Sequence, residues 1–155
     1  IKFPSSDFCD EIPNNPWKGL GYCFSQTIDG EEGVIVLHPI SVNTPSFIYN
    51  TFEVPKDSKM LKIKVANLAG KIPFDDYYKA GMSCPICDSL VKIVIFNTQQ
   101  SVEDQFIITN SESWVEKSYD ITSFLGKITI VIYSIAGGTS DWNGEWLGIG
   151  SIDFV

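Results

Sequence analysis

Two tryptophans, two carboxylates, an asparagine and a glycine fill the six residues Asp141-Trp142-Asn143-Gly144-Glu145-Trp146. Aromatic rings stack on the apolar C–H faces of sugars, and amide and carboxylate groups bond the hydroxyls, so these residue types suit a glycan. Period-two alternation in the strand that follows places Trp146, Gly148, Gly150, Ile152 and Phe154 on one face and Leu147, Ile149, Ser151 and Asp153 on the other. Trp146 is therefore assigned to the core, and Trp142, with Asp141, Asn143 and Glu145 beside it, to ligand contact. Tyr77, Tyr78 and Trp17 are further candidates for exposed stacking rings.

Cysteines stand at 9, 23, 84 and 87. An even count of four allows three disulfide pairings. A Cys9–Cys23 bridge would staple the least regular part of the chain, worth about 3 kcal/mol on the chain-entropy model. Cys84 and Cys87 can pair with each other or reach the N-terminal pair. Four thiolates also suit zinc, although only one close pair is present. Redox chemistry of the thioredoxin kind needs the first cysteine at a helix N-terminus, and the residues after Cys87 read as a strand. Asp88 after Cys87 excludes the usual haem attachment motif. His38 is the sole histidine, directly before Pro39, and no Gly-x-Ser-x-Gly elbow or comparable nucleophile accompanies it. It reads as structural, and the chain as a protein without catalysis.

The elements that must position these groups are strands. Leu61-Lys62-Ile63-Lys64-Val65 alternates apolar and lysine residues, one face dry and one wet. Comparable segments are 33–40, 46–54, 90–96, 105–109, 114–119, 127–135 and 146–154, divided by turn residues such as Asp29-Gly30, Asn43-Thr44-Pro45 and Gly137-Gly138. Helical turns are expected only near 120–125 and 74–79. Strands without intervening helices predict an all-β fold, a two-sheet antiparallel jelly-roll sandwich with a loop-rich N-terminal segment. Its 155 residues make a single domain, with residues 1–30 irregular and disulfide-stapled.

Composition narrows the partners. Eleven lysines, no arginine and nineteen acidic residues give a net charge of −8, which disfavours nucleic acid. No apolar run approaches the roughly 20 residues of a membrane span. The start Ile1-Lys2-Phe3-Pro4 lacks a Met and reads as processed, and an even cysteine set fits an oxidising compartment. The expected location is extracellular or at the cell surface.

The run from Trp114 through Asp120-Ile121-Thr122-Ser123-Phe124-Leu125-Gly126-Lys127 to the apolar Ile128–Ile132, together with the closing stretch 141–154 and the early 52–65, resembles galactose-binding-like jelly rolls, the fold of many carbohydrate-binding modules. The resemblance covers residues 46–155 and implies a non-catalytic glycan-binding module. It also implies a calcium shared by the first and last strands, for which Asp29, Glu31 and Asp153 are the candidate ligands. The final strand departs from the family in having a single acidic residue, and the insertion at 77–87 has no counterpart in it. The alternative reading is a filament or coat subunit that binds copies of itself, the strand-like Ile1-Lys2-Phe3 adding to a neighbour's sheet edge through Ile1 and Phe3.

Overall fold

The computed structural model describes residues 17–73, 75, 79, 81–82, 84–137 and 142–155, except the side chains of 22–24, 26 and 31. Its ten strands are β1 (Lys18–Leu20), β2 (Tyr22–Ile28), β3 (Glu31–His38), β4 (Ser46–Glu53), β5 (Met60–Asn67), β6 (Asp88–Phe96), β7 (Ser101–Thr109), β8 (Val115–Asp120), β9 (Lys127–Ile135) and β10 (Leu147–Phe154). They form two five-stranded sheets, ordered β1-β4-β9-β6-β7 and β2-β3-β10-β5-β8, with antiparallel pairing throughout. This is the expected two-sheet sandwich. The alternation of β5, β6 and β9 drives it: Leu61, Ile63, Val65, Val91, Ile93, Ile130 and Ile132 all turn inward and are buried between the sheets. At about 25 cal/mol per Å² of apolar surface, such side chains supply most of the driving force.

Three local features differ from the sequence reading. Strands β1 and β2 lie inside the segment expected to be irregular. Their sequences, Lys18-Gly19-Leu20 and Tyr22-Cys23-Phe24-Ser25-Gln26-Thr27-Ile28, carry little alternation, and they are strands because they pair with β4 and β3. Between them the chain crosses from one sheet to the other at Gly21, whose φ is +106° and where a Cβ would lie 2.1 Å from Ser46 Oγ, so only glycine fits. The turn after β8 is not helical. It closes through the Phe124 N–H to the Ile121 carbonyl at 3.0 Å, with buried Phe124 plugging that end of the core. Of the other expected helical turn, near 74–79, only Asp75 and Lys79 are described.

The third difference is in β10. Ile149 pairs with Val65 and Ser151 with Lys64, so Gly150 is an extra residue, a β-bulge. The bulge shifts the alternation by one. Leu147 and Ile149 point to the core before it, Ile152 and Phe154 pack against the core after it, and Asp153 is exposed. Strict alternation had put these two pairs on opposite faces.

The outer faces of the two sheets differ. Val34, Val36 and Trp146 on the second sheet are buried under Leu68 and Ile72 of the β5–β6 connection. Leu68 comes so close to β10 that a Cβ on Gly148 would lie 2.5 Å from its Cδ1. Asp75 completes the anchor by accepting the Trp146 Nε1–H at 2.9 Å. Further along the connection, a Cys84–Cys87 disulfide is buried with Ala69. Asn110 locks this region, its Oδ1 accepting the Cys84 N–H at 3.0 Å and its Nδ2 donating to the Ala69 carbonyl at 2.9 Å. The first sheet carries no such cover among the described residues.

Candidate functional site

Among the described residues, those singled out in the sequence lie in several separate places. Trp142 begins a 3₁₀ turn at Trp142–Gly144 and is half-buried. Its ring meets the His38 imidazole edge-on at 4.6 Å, and His38 meets Trp146 at 4.6 Å on its other side. His38 is fully buried and its Nδ1–H donates to the Pro39 carbonyl at 2.9 Å. Burial holds its pKa well below the usual imidazole range, at about 4, because the imidazolium would lose its water. The histidine thus orders the tryptophans as a structural residue. Trp146 is fully buried, but under Leu68 and Ile72 on the outer side of the second sheet rather than on the face that strict alternation gave it. What remains accessible of Trp142 lines a shallow hollow of about 330 Å³ with Ile40, Ser41 and Val42, and Asn143 is half-buried beside it.

Two ligand-contact candidates, Glu145 and Trp17, lie in the interior. Glu145 is 1% exposed, and its Oε1 accepts the Gly137 N–H at 2.5 Å, so it pins the loop from within and cannot meet a ligand. Trp17 is 7% exposed, belongs to the core between the sheets and packs edge-on against Phe52 at 5.6 Å. Asp29 and Gly30 form the two-residue hairpin between β2 and β3, both with positive φ, and the Asp29 carboxylate pairs with Lys71 at 2.5 Å. Asp153 sits opposite Lys62 on β10, and the Glu31 side chain lies outside the described residues. No group of three or more metal-ligating side chains occurs among the described residues. Asp141, Tyr77, Tyr78, Ile1, Phe3, Cys9 and the Cys23 side chain also lie outside them.

Among the described residues, a group of accessible aromatic rings lies instead on the outer face of the first sheet. On β4, Ser46 and Ile48 point inward, so Phe47, Tyr49 and Thr51 point out. Phe47 pairs with Tyr133 of β9, rings 5.5 Å apart, and stacks on Tyr49 at 6.5 Å with planes 28° apart. Tyr49 is 42% exposed. Beside this platform Lys92 of β6 places its ammonium 5.4 Å from the Tyr133 ring centroid and 3.1 Å from Glu103 of β7, with Gln105 next in register. Leu20 and Lys18 of β1 continue the two rows at the other edge. The result is a firm surface of rings flanked by an amide, an ammonium and a carboxylate. It can stack a sugar and bond its hydroxyls, its rings packed against one another on neighbouring strands. Sequence reasoning missed it because β4 mixes apolar and polar residues on each face, Ser46, Ile48 and Asn50 against Phe47, Tyr49 and Thr51, which leaves its pattern unable to say which face meets water.

With two antiparallel sheets in this order, the chain has the galactose-binding-like jelly-roll fold found in carbohydrate-binding modules. Among solved structures it is similar to a family 61 carbohydrate-binding module in complex with β-1,4-galactotriose, with TM-score 0.59, 10% identity, and 98% of this chain and 96% of that one covered. It is likewise similar to a family 51 module from Clostridium perfringens in complex with methyl-galactose, with TM-score 0.52, 14% identity, and coverage of 96% and 98%. A third similar structure is the K2 cleaved adhesin domain of Lys-gingipain, with TM-score 0.50, 14% identity, and coverage of 99% and 94%. No family model matches the chain, and no curated protein does.

Proposed function

We propose that this protein is a non-catalytic glycan-binding module whose ligand lies on the outer face of the first sheet. The observation that carries the reading is the solvent-facing ring group Phe47, Tyr49 and Tyr133 beside Lys92 and Gln105. The likeness in fold to modules crystallised with galactose-containing ligands supports it. The Cys84–Cys87 disulfide fits an extracellular or cell-surface setting, since disulfides persist in oxidising compartments. Among the described residues no helix is long and apolar enough to cross a membrane.

The test is a glycan array followed by calorimetric titration of the best ligand. Removing one stacking ring forfeits about 1 kcal/mol beyond buried area, so Tyr49→Ala and Tyr133→Ala should each weaken binding about 10-fold or more while the protein stays folded. Trp142→Ala should bind as the parent does. If the loss falls on Trp142→Ala and spares both tyrosine variants, the ligand sits at the 142–144 turn and the face is wrongly assigned.

A further inference from the structure

The ring platform does not end at Tyr49. The next outward row is Thr51 of β4, Thr129 of β9 and Phe96 of β6, and beyond it the face drops into a hollow of about 480 Å³ lined also by Thr98, Gln99, Leu125 and Lys127. From Phe47 to Thr51 is four residues along β4, about 13 Å at roughly 3.3 Å per residue. Platform and hollow are thus one continuous surface running along the strands.

The hollow is pre-formed. The Asn97 side-chain oxygen accepts the N–H groups of Gln99 (2.9 Å) and Gln100 (3.0 Å), which fixes the β6–β7 loop. Gln100 Nε2 donates to the Ser123 carbonyl at 2.7 Å, and the Ser123 hydroxyl bonds Gln100 Oε1 at 3.2 Å, tying that loop to the one after β8. On the floor the Thr51 and Thr129 hydroxyls bond each other at 2.9 Å. Asn97 and Gln100 are occupied in building the walls. Gln99, Thr98 and Lys127 present amide, hydroxyl and ammonium groups to the hollow, and Leu125, 79% exposed, offers an apolar lip.

We propose that this hollow is a second subsite of the same glycan site, and that the ligand is a linear, uncharged polysaccharide chain laid along β4 and β9 from the Tyr133 ring into the hollow. The proposal rests on the glycan-binding reading. Chain length follows from the span, since two linked sugar rings are too short to touch both Tyr133 and Gln99. Neutrality follows from the charges along the path. Lys92 is paired with Glu103, Lys127 has Glu53 as its cross-strand neighbour and Lys18 stands at the β1 edge beside Tyr49, so the path offers no cluster of cations to a repeating uronate or sulfate.

The experiment is calorimetric titration of the full chain with linear β-1,4-linked gluco-, manno- and galacto-oligosaccharides from di- to hexasaccharide, and with a galacturonate hexasaccharide. The expected result is a gain in affinity of about 10-fold or more from disaccharide to tetrasaccharide. Gln99→Ala and Leu125→Ala, both on exposed side chains, should erase that gain and leave disaccharide affinity unchanged. Equal affinity for di- and hexasaccharide, with binding still lost in Tyr49→Ala, overturns the second subsite and spares the glycan reading. Preference for the galacturonate overturns the neutral chain. Failure of every oligosaccharide to bind overturns both readings together.

Discussion

At the scale of single residues, the buried polar groups set the conditions under which the fold survives. His38 lies between two indoles with its imidazole held neutral and its pKa lowered from 6.5 to about 4 by burial. The unfolded chain therefore binds a proton that the folded chain refuses between these values. Stability is fully present above pH 6.5 and falls as pH drops toward 4, by up to about 3 kcal/mol from this group. Urea denaturation of the parent should show this slope, and His38→Gln should flatten it over the same window. Parallel slopes would mean that the parent's imidazole is not held neutral. Tyr119 is raised above its ordinary range, chiefly by burial and then by donating its hydroxyl to Asp104 at 2.8 Å. Asp120, fully exposed, is held below the usual carboxylate range by the Thr122 hydroxyl and N–H it accepts, the same bonds that turn the chain after β8.

Among the elements, the β5–β6 connection decides which sheet face is free. Its path depends on Gly70, with φ +81° and a would-be Cβ only 1.9 Å from the Met82 carbonyl oxygen. A side chain there meets rigid backbone as well as an unfavourable φ. Gly70→Ala should cost about 2–4 kcal/mol in chemical denaturation, whereas Gly30→Ala, with positive φ but open space around it, should cost about 1 kcal/mol. Equal costs would show that the connection is loosely seated. The same region marks the limit of sequence reading. Strands β3 to β6, β8, β9 and β10 were legible because their turn residues and alternation agree. Strands β1 and β2 were not, because these edge strands lack period-two alternation and are defined by their partners. Gly150 hid a bulge, since glycine in a strand is equally compatible with regular pairing, and so the faces of β10 could not be assigned.

For the whole molecule, the question is whether it works alone or in copies. A binding module with one covered and one open face should sediment as a monomer across a wide concentration range, and deleting residues 1–6 should leave that unchanged. Concentration-dependent polymers that vanish in the deletion would favour the subunit reading in which Ile1 and Phe3 complete a neighbour's sheet. The charge of −8 contained in 155 residues adds mutual repulsion between copies, strongest at low salt.

The amino-acid sequence by itself determined the all-β class and the two-sheet sandwich, which follow from local alternation and turn chemistry. Tertiary structure alone decided the site. Residues as distant as Phe47, Lys92 and Tyr133 share one row only because β4, β9 and β6 lie side by side. Among the described residues nothing covers their face, while Leu68 and Ile72 of the β5–β6 connection pack on the opposite sheet. Pattern along a chain reports which side chains agree with one another, but exposure depends on what the rest of the molecule places in front of them.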